Sequence, residues 1–220
     1  AEALAIIPGG GTYGMEAVAR QIALDKNVLI IRNGWFSYRW SQIFEKGNFV
    51  KKTTVIKAKQ QGSEKLAPFA PASIDEIIEK IYENSPDIVF APHVETSSGI
   101  IMPDEYLKKI TEAAHEVGAL FVLDCIASGC LWLDMKDVGI DILLSAPQKG
   151  WSSTPSSGIV MMNNKAIDRV EKSESNSFAM DLKKWHSIMK AYESGSYAYH
   201  ATMPTDSLCH FRDRILEAKE

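Results

Sequence analysis

The chain has 220 residues, of which 45% are hydrophobic and 24% charged, and its formal net charge at pH 7 is −4. This length and composition predict one globular domain with an ample core. The mild negative charge, without a basic stripe, argues against a nucleic-acid partner, and no apolar run is long enough to span a membrane. Cys125, Cys130 and Cys209 are odd in number and lack the spacing of a metal site. They favour a reducing compartment such as the cytoplasm and predict no bound metal.

Apolar strand patterns and helical patterns alternate along the chain. Strands are predicted at 28–32, 54–58, 87–91, 120–123, 141–145 and 158–162, and helices at 14–25, 38–46, 73–84, 103–117, 164–172 and 178–193. Residues 57–71 are predicted to form an exposed loop. The alternation predicts an α/β fold with a mostly parallel sheet between two layers of helices, a three-layer αβα arrangement. Ligands bind such sheets at the carboxyl ends of the strands.

A Gly-rich segment, Pro8-Gly9-Gly10-Gly11-Thr12-Tyr13-Gly14, precedes the first predicted helix. Glycines let the backbone approach a phosphate, and a helix N-terminus favours negative charge. The same segment matches the dinucleotide-binding pattern G-x-G-x-x-G, so a nucleotide-binding oxidoreductase is an alternative. That alternative is the weaker one, because the next strand ends in Arg32 and Asn33, without an acidic residue for a ribose hydroxyl.

Polar side chains follow three of the predicted strands. Asp124 closes the run 120–123, where a protonated pyridine nitrogen would compensate the burial of its carboxylate. Lys149 follows the run 142–144, where apolar surroundings would disfavour the ammonium and leave an amine that forms a Schiff base with an aldehyde. The loop 92–99 carries hydroxyls suited to a phenolate oxygen, and its His93 is expected to be structural. Together these residues predict a site for pyridoxal 5'-phosphate (PLP), although a turn-capping Asp and a solvated Lys would explain each residue separately.

The order of these segments is more specific than any one of them. A Gly-rich loop, an aromatic loop (33–39), H-x-E-[ST]-[ST]-x-G, D-x-x-x-S and S-x-x-Q-K follow one another over about residues 8–208. This order resembles the class V aminotransferases of PLP fold type I, above all the alanine–glyoxylate and serine–pyruvate group. The resemblance implies these roles: Gly10, Gly11, Thr12 and Gln148 at the phosphate, Phe36 (with Trp35 as its rival) stacked on the ring, Ile126 on the opposite ring face, Thr96 near the ring oxygen, Asp124 at the pyridine nitrogen and Lys149 as the Schiff-base lysine.

The same resemblance implies an assembly larger than this chain. The segment 197–204 is similar to a family motif in which Tyr199 and Thr202 would reach the phosphate of the neighbouring subunit, so a homodimer with shared active sites is expected. Residues 1–220 would be the PLP-binding large domain. The N-terminal arm, and the small C-terminal domain with the arginine that binds the substrate carboxylate, would lie outside this chain. Ser37 stands where the family often has Gly, and Val94 where Gly is usual.

The activity expected from the resemblance is transamination between a small amino acid of the alanine or serine type and a 2-keto acid of the glyoxylate or pyruvate type. Lys149 would be the general base, and Asp124 would keep the ring electron-poor. A cysteine desulfurase or β-lyase is the nearest alternative. Desulfurases usually have His at the positions of Phe36 and Gln148 and need a mobile cysteine. An inactive binding module is a further alternative, because fold does not fix function.

Overall fold

The computed structural model describes residues 1–129 and 131–218, so Cys130 lies outside the described residues. The strands are β1 Ala3–Pro8, β2 Asn27–Arg32, β3 Lys52–Lys57, β4 Lys59–Gln60, β5 Phe69–Ala70, β6 Ile88–Pro92, β7 Val94–Glu95, β8 Ile100–Ile101, β9 Leu120–Asp124, β10 Ile142–Ser145 and β11 Ser157–Met162. The helices are α1 Gly11–Ile22, α2 Tyr38–Gly47, α3 Ile74–Asn84, α4 Asp104–Glu116, α5 Met135–Val138, α6 Asn164–Glu171, α7 Leu182–Glu193 and α8 Thr205–Glu217.

Seven strands form the main sheet, in the order β1-β11-β10-β9-β6-β2-β3. β11 is antiparallel to both of its neighbours, and the other adjacent pairs are parallel. The central strand β9 is buried along its whole length, as expected for a parallel strand that is covered on both faces. The predicted α/β fold with a mostly parallel sheet is confirmed.

Helices cover both faces of this sheet. The first core lies between the sheet and α1, α2, α6 and α7, and includes the fully buried Trp40 and Trp185. The second lies between the sheet and α3, α4 and α5. Alternate residues of β2 enter the two cores, Ile30 the first and Ile31 the second, because successive strand side chains point to opposite faces. The predicted three layers are therefore present.

The predicted strands and helices are all present, with ends that differ by up to four residues. The first helix begins at Gly11, so the Gly-rich segment forms its N-terminus. The sequence prediction missed β1, α5, α8 and the two-residue strands β4, β5, β7 and β8. α8 was missed because Phe211 is its one buried residue, which leaves little apolar periodicity. The loop predicted at 57–71 contains the short β4–β5 hairpin.

The sheet brings several loops to one edge. Asp124 at the end of β9 is paired in register with Pro92 of β6 and Leu144 of β10. β1 runs in the same direction as these strands and ends at Pro8. The Gly-rich segment, the loop after β6, Asp124 and the segment after β10 therefore leave the sheet together. No helix in the described ranges is long and apolar enough to cross a membrane.

Candidate active site

A cavity of about 250 Å³ lies at this edge of the sheet. Eight of the eleven residues predicted for the site line it, from segments far apart in sequence. The lining residues are Gly11, Thr12, Phe36, Arg39, Val94, Thr96, Asp124, Ile126, Ala127, Gln148 and Lys149. Gly10 adjoins the cavity, because a Cβ atom on Gly10 would lie 3.9 Å from Nε2 of Gln148.

The N-terminus of α1 forms one end of the cavity. Gly10 is the N-cap residue, and no side chain caps the helix. A Cβ atom on Gly11 would lie 2.5 Å from Cδ1 of Ile126, so the backbone passes directly beneath that side chain. Oε1 of Gln148 is buried without a hydrogen-bond partner among the described residues. Free backbone N–H groups at the helix N-terminus suit an anionic group such as a phosphate. The donor that Gln148 offers to such a group is Nε2, which faces Gly10, and not the acceptor Oε1.

Asp124 is only 8% exposed. Burial raises the pKa of its carboxyl to about 6, against smaller lowering effects from the N–H of Ile126 and the charge of Arg39. Oδ1 accepts the hydrogen bond from the Ile126 N–H at 2.9 Å. Within residues 1–129 and 131–218, no cationic side chain forms an ion pair with Asp124. A carboxylate that has lost its hydration in this way is suited to a protonated pyridine nitrogen.

The aromatic loop 33–39 separates the two candidates for ring stacking. Phe36 lines the cavity, and the Arg39 guanidinium lies 5.5 Å from the centroid of the Phe36 ring. Trp35 is 62% exposed and lines a different depression, together with Arg32 and Tyr38. The geometry therefore favours Phe36 as the residue that covers a bound ring.

Lys149 lies in the turn that follows β10 and lines the cavity, but its side chain is exposed. The prediction of apolar surroundings for Lys149 is therefore wrong for the residues that the structure describes. The buried strand β10 ends at Ser145. Lys149 lies four residues further on, in a turn outside the core. Lys149 lines the same cavity as Asp124 and Gln148.

Other residues considered above lie outside the cavity. Tyr199 and Thr202 are exposed and do not line it, so this chain alone does not bring them to the site. His93 is buried, with Nδ1 2.8 Å from Oγ of Ser128, and burial lowers its pKa. Among the described residues, no group of three or more His, Cys, Asp or Glu side chains could hold a metal.

Two residues at the site had no role assigned from the sequence. Arg39 donates from Nη1 to Oγ1 of Thr12 at 2.9 Å and so joins the aromatic loop to the start of α1. Glu95 is fully buried beneath the aromatic loop. Both stand inside the quoted motifs, and a charged residue at a fixed position of a motif is the sequence signal that could have identified them. In the structure Glu95 is buried and Arg39 is half-buried.

Comparisons with known proteins agree with this geometry. The sequence profile of the family "Aminotransferase class-V" matches residues 6–213. Alanine–glyoxylate aminotransferase 1 of Saccharomyces cerevisiae is 27% identical over 210 residues, which cover 90% of this chain and 51% of that protein. The chain thus spans about half the length of this curated relative.

Solved structures give the same picture of the fold. The alanine–glyoxylate aminotransferase of Nostoc sp. superimposes with a TM-score of 0.80 at 22% identity, over 99% of this chain and 55% of that one. The ureidoglycine–glyoxylate aminotransferase of Bacillus subtilis gives a TM-score of 0.79 at 26% identity, over 98% of this chain and 52% of that one. With a family profile that covers nearly its whole length, the chain belongs to the class V aminotransferases, which implies PLP as the cofactor.

Proposed function

We propose that this protein is a PLP-dependent aminotransferase that moves an amino group between a small amino acid and a 2-keto acid. The observation that carries the proposal is that a buried carboxylate, a helix N-terminus and a lysine all line one cavity. The name of the yeast relative supports alanine as the donor and glyoxylate as the acceptor, and a 2-aminoethylphosphonate–pyruvate transaminase among the relatives supports pyruvate as an acceptor. Serine as a donor rests on the family resemblance alone.

PLP, when bound, supplies an electron sink for the negative charge that develops at the substrate α-carbon. Asp124 would keep the ring nitrogen protonated, and the buried position of its carboxylate strengthens that interaction. Thr96 would donate to the ring oxygen. Phe36 and Ile126 would hold the ring in plane and exclude water from its faces. The residues proposed for the phosphate are Gly10, Gly11, Thr12 and Gln148.

Lys149 has two successive roles in this proposal. Its amine would hold the aldehyde carbon of the cofactor until the substrate amine replaces it. The released amine would then take the proton from the substrate α-carbon and return it at the cofactor carbon. The exposure of Lys149 in the described chain supports access by a substrate.

The positions of the described cysteines favour transamination over desulfuration. Cys125 is buried, and burial raises the pKa of its thiol. Cys209 is exposed on α8 and does not line the cavity. Neither thiol is placed to attack a bound substrate, and the positions of Phe36 and Gln148 lack the histidines of desulfurases.

The assembly is part of the proposal. Residues 1–220 are proposed to be one PLP-binding large domain, which the continuous main sheet supports. A homodimer with shared active sites is supported by the exposure of Tyr199, 75% of which is accessible. The unpaired thiols of Cys125 and Cys209 support a reducing compartment such as the cytoplasm.

Lys149→Ala tests the proposal. With L-alanine and glyoxylate as substrates, pyruvate formation should fall by at least about 10³-fold, because both the bond to the cofactor and the proton transfer are lost. Lys172→Ala, at another exposed lysine outside the cavity, is the matched control and should keep its rate. A Lys149→Ala protein with a near-native rate would overturn the assignment.

A further inference from the structure

Glu95 joins the two loops that form one wall of the cavity. Its side chain is 0% exposed. Oε1 accepts hydrogen bonds from the N–H of Phe36 at 3.1 Å and from the hydroxyl of Ser97 at 2.6 Å. Oε2 accepts from the N–H of Ser37 at 2.8 Å and from the hydroxyl of Ser37 at 2.6 Å. Both carboxylate oxygens are therefore committed to neighbouring protein groups.

This carboxylate is balanced by hydrogen bonds and not by a cation. Within the described ranges, no basic side chain lies within ion-pair distance of Glu95. Burial alone would raise its pKa, but the hydrogen bonds from Ser37 and Ser97 and from the Phe36 N–H outweigh burial and lower it. Glu95 is therefore ionised at neutral pH, and its hydrogen bonds are of the stronger charge-assisted kind.

The side chains of Glu95, Ser97 and Ser37 together bind the backbone at the start of the aromatic loop. Oγ of Ser97 accepts from the N–H of Trp35 at 2.8 Å. Oγ of Ser37 accepts from the N–H groups of Asn33 at 2.9 Å and Gly34 at 3.1 Å. With the two bonds to Glu95, all five backbone N–H groups of residues 33–37 are fixed by three side chains.

The loops also meet too closely for a side chain at Gly34. A Cβ atom on Gly34 would lie 2.3 Å from Oγ of Ser97 and 2.7 Å from Cγ of Glu95. Ser37 occupies a position where the class V aminotransferases often have Gly. The hydrogen bond from its hydroxyl to Glu95 therefore depends on the residue that this chain has there. The close contact between the two loops therefore depends on Gly34 and Ser37 in one loop and on Glu95 and Ser97 in the other.

We propose that Glu95 is a positioning residue that fixes loop 33–37 and thereby sets Phe36 as the wall that covers the cofactor ring. The proposal rests on the proposed PLP function. Phe36 is the point of contact, because its N–H is held by Glu95 and its ring lines the cavity. Glu95 itself does not line the cavity and acts through the loop.

Glu95→Gln is the direct test. Oε1 accepts the backbone N–H of Phe36 and, at 3.4 Å, that of Ser97, while Oε2 accepts the backbone N–H of Ser37. An amide has a single acceptor oxygen, so either orientation of Gln places its NH₂ group against one of these N–H donors. The variant keeps the size of the side chain and loses the function proposed for it.

Two measurements are made on the purified protein. In the cofactor-free form, hydrogen exchange at the Phe36 and Ser37 amides should be about tenfold faster or more in Glu95→Gln. In an absorbance titration, the Kd for PLP should rise about tenfold, equivalent to about 1.4 kcal/mol. Asp141→Asn is the matched control, because Asp141 is another fully buried, hydrogen-bonded carboxylate outside the cavity. Asp141→Asn should lower thermal stability without faster exchange at the Phe36 and Ser37 amides and without a higher Kd for PLP.

The two measurements distinguish a failure of the role proposed for Glu95 from a failure of the proposed PLP function. Glu95→Gln with exchange rates and a Kd within about twofold of the unsubstituted protein would overturn the proposal, as would equal changes in Asp141→Asn. If Glu95→Gln does not fold, Ser37→Ala is measured instead and should give smaller changes in the same direction, whereas no change would overturn the proposal. If the unsubstituted protein takes up no PLP, the proposed function fails, and amide exchange in the cofactor-free protein still decides the role of Glu95.

Discussion

Asp124→Asn is expected to stabilise the cofactor-free protein at pH 8 while it weakens PLP binding. Burial raises the pKa of Asp124 from 3.8 to about 6, so the folded chain favours the neutral acid. The stability contributed by this group is therefore full below pH 3.8 and is lost as the pH rises through about 6. A pKa difference of about 2 corresponds to about 3 kcal/mol lost by pH 8, which Asn avoids.

Urea unfolding of the cofactor-free proteins at pH 4 and pH 8 measures this effect. The two proteins should have similar free energies of unfolding at pH 4, where Asp124 is largely neutral and close to Asn in shape. At pH 8, Asp124→Asn should be more stable by up to about 3 kcal/mol. Its Oδ1 can still accept the Ile126 N–H.

Asp141 provides a comparison of opposite sign. Burial raises its pKa, but hydrogen bonds from His115, the Phe121 N–H and Asn163 outweigh burial and lower it. Its stabilising contribution is present above the unfolded pKa and is lost as the pH falls through the folded pKa. Asp141→Asn should therefore be less stable at pH 8, by about 1–3 kcal/mol. Were Asp124→Asn also destabilised at pH 8, or stabilised equally at both pH values, the reasoning about an uncompensated buried charge would be refuted.

Two further predictions concern the frame of the cavity. Gly158→Ala would place a Cβ atom 2.7 Å from the nitrogen of Gly14 and 2.8 Å from the carbonyl oxygen of Gly10, so the start of α1 must move. We expect a loss of about 1–3 kcal/mol in urea unfolding and weaker PLP binding. Gly14→Ala, with a contact of 3.3 Å, should lose less because Ala also favours the helix by about 1 kcal/mol; equal losses would contradict the argument. Gln148→Leu removes a buried oxygen that has no partner among the described residues, so thermal stability without cofactor should hold or rise while the Kd for PLP increases; a lower melting temperature with unchanged Kd would contradict the phosphate role.

The placement of the main site residues could be predicted because it follows from strand ends. Asp124 and Lys149 each come after an apolar run, and a parallel sheet brings such ends to one edge. The same logic placed the loop that contains Thr96 after β6. Gly11 was identified instead from the Gly-rich pattern before a predicted helix, because β1 was not predicted. These four residues do line one cavity.

Contacts between distant segments could not be predicted in this way. The bonds of Arg39 to Thr12 and of Ser37 to Glu95 join residues 27 and 58 positions apart, and no local pattern specifies them. The exposure of Lys149 was also missed, because it depends on the path of the turn after Ser145 and not on the apolar run before it.

The absorbance spectrum of the PLP-treated protein, before and after addition of L-alanine, tests the central claim most directly. We expect a band near roughly 410–420 nm, from the bond between Lys149 and the cofactor aldehyde. The band should bleach with L-alanine and return with glyoxylate, as the amino group moves onto the cofactor and off again. A protein that gains no such band with PLP, while Lys149→Ala behaves identically, would show that Lys149 does not bind the cofactor.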